Sequence, residues 1–454
     1  MKKVHIIGIG GIAMSAIAQY FLTIGYQVTG SDLENNELIE ELKNKGAQIK
    51  IGHQADNIDS NLEKVIYSDA IPDENVELKQ AREYGIELLG RSQALALITA
   101  NKKVISASGT HGKTTTSGLL AQILTGGQKN PSFIIGGILN NFNSNFMIKE
   151  SDYFILEGDE YGKSFLKYPS DIGVVTNIEF DHPDIYRDLD DMVATYKEYV
   201  AGLSECLVTN NKVLAQLEIE STSLPIEVLT VGINDQQADF NAVKITEVEL
   251  ESYFILEYQG QEIGQFRLPA LGDYNIRHAL EAIAVGKYCG LSFETMKESL
   301  GQWQGVKRRF EVLSDDDNQI IITDYAHHPS EVKAVVDNLD RIETDKQKVV
   351  IFQPHQYLRT NSLLKDYQKV LNQNLDERVI YQIYKVRERV EEKELERLGK
   401  RLSQLVSDQP VTYINQWSNL EEWLTKYNYS NDAIYLFLGA GDIDQFARKW
   451  AKKS

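Results

Sequence analysis

SASGTHGKTTTSGLLAQIL, residues 106–124, leaves an apolar run that begins at Val104 and enters an amphipathic one. Strand, glycine-bearing turn and helix is the order in which α/β proteins hold phosphates. Gly109 and Gly112 let the backbone turn tightly and present N–H groups to phosphate oxygens, and the helix N-terminus adds partial positive charge. Lys113 can reach the β- and γ-phosphates, and the Thr114 hydroxyl can ligate Mg²⁺. The general pattern GxxxxGK[ST] is incomplete, because Ala107 stands at its first glycine position. The bland alternative is a helix cap with a lysine nearby. It leaves the agreement of strand, turn, Lys-Thr pair and helix unexplained. The stretch therefore predicts a nucleoside triphosphate site at Gly109, Thr110, His111, Gly112, Lys113, Thr114 and Thr115.

Outward from this turn, short apolar runs alternate with amphipathic stretches. VHIIGIG, VIYSDAI, YFILEGD, IGVVTNI, IIITDYA, VVIFQ and IYLFLGAG read as buried strands, with helices expected over 36–46, 114–124 and 331–339. That alternation predicts α/β layers with largely parallel sheets. The chain divides into three blocks, 1–100, 101–306 and 307–454. A second glycine turn, GIGGIA (8–13), follows the first strand and fits GxGxxG/A, with Gly8, Gly10 and Gly11 in the turn. Ser31 and Asp32 follow a second strand, placing an acid for a ribose hydroxyl. The pattern alone does not separate a nicotinamide dinucleotide from a UDP-sugar. Two phosphate turns in one chain suggest that ATP acts on a nucleotide-linked substrate.

Ligands bind beyond the C-terminal ends of strands in open α/β sheets. YFILEGDEY places Glu157, Asp159 and Glu160 there, and VVTNIEFDH places Asn177, Asp181 and His182. Thr114 with Glu157 can hold a Mg²⁺ bridging ATP phosphates; a His ligand such as His182 is unusual for that ion. DYAHHPSE and FQPHQYLRT bring His327, His328, His355 and Arg359 to strand ends, suited to a small carboxylate or phosphate. Arg308 and Arg309 can set positive charge against a transferred phosphoryl group, or form an ordinary salt bridge. Lys197 reads as a surface lysine. The charged run 384–402 reads as a solvated helix face.

The 454 residues carry 47 Lys+Arg against 66 Asp+Glu, a net charge of −19. That argues against a sequence-independent grip on nucleic acid. Cys206 and Cys289 are too few for a disulfide framework or a CxxC metal site, which fits a reducing cytoplasm. No run approaches the length of a membrane span, so no membrane insertion is expected. The glycines at 8, 10 and 11 interrupt the N-terminal apolar run as a strand-to-helix turn would, so a folded start is expected rather than a signal peptide.

Together these motifs resemble the Mur ligases, ATP-dependent amide-forming enzymes of peptidoglycan precursor synthesis. HIIGIGGIAMSAIA and VTGSD resemble the family's UDP-binding segment, SGTHGKTTT its ATP loop, and EGDEY with TNIEFDH its metal strands. GDYNIRHALEAIA resembles the segment that reaches the adenine; GVKRRFE, DYAHHPSE, FQPHQYLRT and LFLGAGDI resemble the C-terminal domain. The resemblance covers the whole chain. It implies a Rossmann-like UDP-sugar-binding domain, a central ATP-binding P-loop domain and a Rossmann-like amino-acid-binding domain, closing on substrate as a monomer or homodimer.

The resemblance further implies that ATP phosphorylates the lactyl carboxylate of UDP-N-acetylmuramate and that L-alanine attacks the acyl phosphate. Lys113 and Mg²⁺ would neutralise charge, with Thr114, Glu157 and His182 as metal ligands. Asn275 and Asp324 would hold the nucleotide, Arg309 assist the phosphoryl group, and His328 and Arg359 bind the amino acid. Gly8, Gly10, Gly11, Ser31 and Asp32 would hold the UDP moiety. EGDEY and EFDHPDIY lean toward a branch that attaches the peptide L-Ala-γ-D-Glu-meso-diaminopimelate to the same sugar. The usual GxHN is GDYN here, with Tyr274 for His and His278 at a common Asn position; Gln356 replaces an Arg found in some relatives. A carbamylated lysine in parts of the family would fall near Lys197. A nicotinamide-dependent oxidoreductase is the rival reading of GIGGIA, and it leaves GTHGKTT without a purpose.

Overall fold

The computed structural model describes residues 2–182, 185–316, 319–342, 344–372, 375–385, 388, 390–406, 411–428 and 432–453. The quoted stretch EFDHPDIY includes Pro183 and Asp184, and the charged run includes Val386, Arg387 and Arg389, all outside the described residues.

The first sheet is parallel, in the order Gln48–Ile51, Gln27–Asp32, Lys3–Ile7, Lys64–Tyr67, Glu87–Gly90. Its strand order reverses direction beside Lys3–Ile7, so the loop leaving that strand, Gly8–Gly11, lies at the crevice of the sheet. Val4, Ile6 and Ile7 are fully buried, as expected for strands covered on both faces.

The second sheet has ten strands, six of which run in the order Glu227–Ile233, Cys206–Thr209, Ile172–Val175, Lys103–Ser108, Tyr153–Gly158, Ser132–Leu139. These run parallel. Lys103–Ser108 sits at the centre. Its neighbours are the strands that end in TNIEFDH and EGDEY, so the three site segments emerge side by side. Lys113–Gly126 is the helix that follows the phosphate turn, and its residues Leu119, Leu120, Ile123 and Leu124 are buried. These two sheets belong to one compact unit, Met1–Thr246 with Ser252–Gln304.

The second unit, Gly305–Ser454 with Glu247–Glu251, holds the third sheet. Its order is Glu311–Asp315, Gln319–Asp324, Ala433–Leu438, Gln347–Phe352, Glu377–Tyr381, Thr412–Ile414. All pairs are parallel except the Glu311–Asp315 edge. Ala433–Leu438 is buried at every position. The strands ending in DYAHHP and FQPHQYLRT flank it.

Helix ends follow the local chemistry. Asn36, Asp188, Asn210 and Ser292 each accept an N–H of the first turn of their helices, and Pro329 sits at the start of Pro329–Arg341. Within the charged run, Glu392–Leu405 is a helix that buries Leu395, Leu398 and Leu402 and exposes its charges, as read from the sequence. Both cysteines are free and buried. Among the described residues no helix is long and apolar enough to cross a membrane.

Candidate active site

Two glycines shape the turn at 109–112. Gly109 has φ 135°, and a Cβ there would lie 2.0 Å from Thr176 Oγ1. Gly112 has φ 88°, and a Cβ there would lie 2.2 Å from the His278 ring. Neither position admits a side chain. The turn is laced to TNIEF: Thr176 Oγ1 donates to His111 O (2.6 Å), Asn177 Oδ1 accepts the His111 N–H (3.1 Å), and Thr110 Oγ1 donates to Glu179 O (2.9 Å). Thr116, one helical turn after Gly112, donates to Glu281, which also pairs with His278 Nδ1 at 3.1 Å. Asn275 is nearly buried and donates to Leu271 O at 2.8 Å.

Lys113 is fully engaged. Its ammonium donates to Gly109 O (2.7 Å), Thr110 O (3.2 Å) and both Glu160 oxygens (2.9 and 2.8 Å). Burial alone would lower the Lys113 pKa, but Glu160 and Asp159 outweigh it and hold the group above its usual value. His182 Nε2 stands 3.4 Å from Glu160 Oε1 and 3.8 Å from Asp181. Burial opposes its charge, yet Glu160 and Asp181 raise its pKa above the ordinary value.

Glu157, the acid expected at the metal, accepts the Gly136 N–H at 2.7 Å. The acid the structure sets against both Lys113 and His182 is Glu160, 1% exposed. The sequence reading chooses Glu157 from the three acids of EGDEY. Lys197 lies apart from this group, on the helix Leu189–Ala201, in a surface ion pair with Glu218 at 2.7 Å.

In the first glycine turn the amides are already spoken for. Gly8 and Ile9 donate to Ser31 O (2.8 and 3.1 Å), Gly11 to Gly8 O (3.2 Å), and Gly10 to Asp32 Oδ2 (2.8 Å). The donors left over are those of the first turn of the helix Ile12–Thr23, whose Gly11 cap offers no side chain. Ser31, expected at the UDP moiety, is wholly buried and turned inward. Its hydroxyl donates to Glu77 at 2.5 Å and lies 3.0 Å from His53 Nδ1. Glu77 is also completely buried and accepts from Asn57 and the Gln54 N–H. Burial alone would raise its carboxyl, but His5, Ser31 and Asn57 together hold it at about 2.

In the third sheet, Asp324 accepts the N–H groups of Ala326 and Phe310, both at 2.7 Å. It thus ties the KRRF segment to the strand end. Burial, only partly offset by Arg309, pushes its pKa up to about 6. Arg308 and Arg309 both lie over the Tyr325 ring, at 4.7 and 5.4 Å, and Arg308 also donates to Gly439 O and Gly441 O. His328, expected at the amino acid, caps Pro329–Arg341, and its Nδ1 lies 2.8 Å from Ser330 Oγ. The histidine facing His355 is His327 instead, with ring centroids 5.3 Å apart. Burial holds both rings neutral: His327 is lowered, and His355 is pushed down to about 4, aided by His327 and Arg359. Among the described residues the Arg359 guanidinium meets no acceptor. An unpaired cation beside two neutral imidazoles suits a small carboxylate.

Three successive segments match known domains: residues 3–103 the Mur ligase family catalytic domain, 107–286 the Mur ligase middle domain, and 308–441 the Mur ligase glutamate ligase domain. The chain is 36% identical to a UDP-N-acetylmuramate–L-alanine ligase of Desulforamulus reducens, covering 100% of this chain and 98% of that one. This chain belongs to the Mur ligase family.

An enzyme of the same name from Aquifex aeolicus is 34% identical, with 100% and 98% of the two chains covered. Among solved structures, a UDP-N-acetylmuramate-alanine ligase from Thermotoga maritima superposes with TM-score 0.85 at 25% identity, over 100% of this chain and 99% of that one. A murein peptide ligase from Psychrobacter arcticus shares the fold, with TM-score 0.73 at 19% identity over 99% and 98%. Membership of the Mur ligases disposes of the oxidoreductase reading of GIGGIA. The fold is the family's three-domain α/β architecture. In this Mur ligase the donors near the phosphate turn fit Mg²⁺. They are a threonine hydroxyl and carboxylates, with no self-sufficient cage of three or more His, Cys, Asp or Glu among the described residues. Such an ion takes its remaining ligands from phosphate and water.

Proposed function

We propose that this Mur ligase joins L-alanine to the lactyl carboxylate of UDP-N-acetylmuramate, in the cytoplasm, at the expense of ATP. The observation that carries the reading is similarity along the full chain, at 36% and 34% identity, to ligases of that name. The blocks 1–100, 101–306 and 307–454 then take the UDP-sugar, ATP and amino acid respectively.

The chemistry divides among the residues above. A carboxylate is a poor acyl donor, so the γ-phosphoryl of ATP is first transferred to the lactyl carboxylate. The amine of L-alanine attacks the acyl phosphate, and the tetrahedral adduct collapses to the amide as phosphate leaves. Mg²⁺, when bound, would offset charge on the phosphates; Thr114, Glu160 and His182 would hold it, and Glu157 would serve as a further carboxylate. Lys113 leaves Glu160 to meet the β- and γ-phosphates. Gly109, Thr110, His111, Gly112 and Thr115 form the walls of that turn, and Asn275 serves the nucleotide. Arg309 adds positive charge to the phosphoryl group. Gly8, Gly10, Gly11 and Asp32 shape the UDP turn, and Ser31 holds it from beneath. Arg359 pairs with the alanine carboxylate, with His327 and His355 alongside and His328 fixing the helix behind them. Asp324 keeps the KRRF segment in place.

The experiment is phosphate release with ATP, Mg²⁺, UDP-N-acetylmuramate and a panel of acceptors. Release with L-alanine above that with glycine, L-serine and L-Ala-γ-D-Glu-meso-diaminopimelate is the expected result. Release only with the tripeptide would overturn the acceptor and leave the donor in place. One methyl group is worth about 1–3 kcal/mol, so glycine should trail by roughly 10–200-fold.

A further inference from the structure

Arg91 opens the helix Arg91–Thr99, directly after the strand Glu87–Gly90 of the first sheet. Its guanidinium reaches in two directions. Nε donates to Asp69 Oδ2 at 2.8 Å, and Nη2 donates to Asp159 Oδ2 at 2.8 Å, with Ser164 Oγ at 3.4 Å. Each acceptor follows a strand end beside a different glycine turn. Asp69 follows Ser68, whose N–H donates to Ile7 O and whose Cβ lies 3.2 Å from where a Cβ on Gly8 would stand. Asp159 immediately precedes Glu160, the residue that holds Lys113. Asp159 is itself fixed: its Oδ1 accepts the Tyr161 N–H and its carbonyl the Phe165 N–H.

Nucleotide cannot engage Lys113 without drawing its ammonium from Glu160. Glu160 then has to find a new counter-ion, and its segment has to adjust. That segment is anchored through Asp159 to Arg91. The same planar group anchors the turn against Gly8. A lysine could neutralise one carboxylate or sit between two, but it cannot hold both at fixed angles, because only the guanidinium fork offers donors along separate edges.

We infer that Arg91 is a positioning residue that couples occupancy of the UDP-sugar turn to the setting of Lys113 at the ATP turn. The inference rests on the assignment of those two turns to UDP-N-acetylmuramate and ATP. It predicts that each ligand tightens the other, and that the coupling runs through the Asp69–Arg91–Asp159 bridge.

The test is calorimetric titration of UDP-N-acetylmuramate into the full chain, with and without saturating adenylyl imidodiphosphate and Mg²⁺. In the wild type the nucleotide should tighten the sugar by about fivefold or more, the lower bound of ordinary allosteric coupling. Arg91→Lys should keep each separate affinity within about threefold while the ratio falls toward one, a split that general loosening of the fold does not produce. Asp159→Asn cuts the same bridge from the other side and should lower the ratio likewise, which keeps the question answerable if Arg91→Lys fails to fold. A ratio unchanged in a folded variant overturns the inference, as does a wild type in which the ligands ignore each other. Failure of the wild type to bind the UDP-sugar at all would overturn the underlying assignment instead.

Discussion

The two glycine turns of the first unit solve one problem in opposite ways. At Gly8–Gly11 the amides are satisfied by the protein's own Ser31 carbonyl and Asp32 carboxylate. The turn is therefore rigid before any ligand arrives, and the donors remaining for phosphate are those of a helix end. At Gly109–Gly112 the decisive donor is a side-chain ammonium, and Glu160 occupies it. The first turn is preformed. The second has to be reset by the nucleotide it binds, exchanging one anionic partner for another. A preformed site spends little on reorganisation, whereas a reset site senses its ligand.

The largest effect expected from breaking this contrast is at Lys113. Lys113→Ala should reduce turnover by about 10³-fold or more, in line with loss of a phosphoryl-stabilising cation. The protein should still fold, because His182 remains beside Glu160. It should melt lower, because a buried carboxylate loses its main partner. Adding Glu160→Gln should recover the melting temperature but not the turnover. Full activity in the single variant would end the assigned role.

Next come the glycines. Gly112→Ala must place a Cβ 2.2 Å from the His278 ring at φ 88°, so the loop or the histidine has to move. Displacements near 1 Å at a reacting group cost about 10²-fold, and activity should fall by that order. Gly8→Ala meets Ser68 Cβ at a milder 3.2 Å, at φ 77°. Its effect should be smaller and confined to KM for the UDP-sugar. Steady-state kinetics on the two variants would show whether the turns differ as described; equal losses at both would erase the distinction.

What could be read in advance follows the same contrast. Strand, turn and helix were legible at both places because glycine and apolar runs act locally. The partners were not. Ser31 meets Glu77 across 46 residues and His53 across 22, separations no local pattern records. Choosing among Glu157, Asp159 and Glu160 needs the path of the chain past the strand. Gly162 and Lys163 take positive φ there, at 60° and 53°, and the segment folds back, leaving Glu160 under Lys113. Likewise His327 and His328 are adjacent in sequence, but the helix begins between them and Pro329, and only His327 is turned toward His355. The three sheets and their crevices were foreseeable. The inward turn of Ser31 was not.

The rigidity of the first turn rests on Glu77, and acid should reveal it. The Glu77 carboxyl is held at about 2 against an ordinary value near 4.5. A depressed carboxylate stabilises the fold fully above its unfolded value, and this contribution is lost as pH falls from about 5 toward 2. The shift corresponds to about 3 kcal/mol. Glu77→Gln should therefore destabilise the protein at pH 7 by about 2–4 kcal/mol. It should also flatten the dependence of stability on pH below 5. Denaturant melts of wild type and variant at pH 7 and pH 4 would test this, and parallel acid limbs would exclude Glu77 as the anchor.

The smallest effect belongs to Lys197. If a carbamate formed on this lysine served the metal, its amine would have to face the acids beside Lys113. It pairs instead with Glu218, the residue that caps the following helix Asn211–Leu217, in a solvent-exposed contact. Long exposed side chains of this kind gain little from pairing, because solvent screens the charge and ordering the chains costs entropy. Lys197→Ala should leave turnover and KM for all three substrates unchanged, and added bicarbonate should not alter the rate of either protein. A rate that falls in the variant and responds to bicarbonate in the wild type would bring Lys197 back to the metal, and with it a side-chain movement away from Glu218 on nucleotide binding.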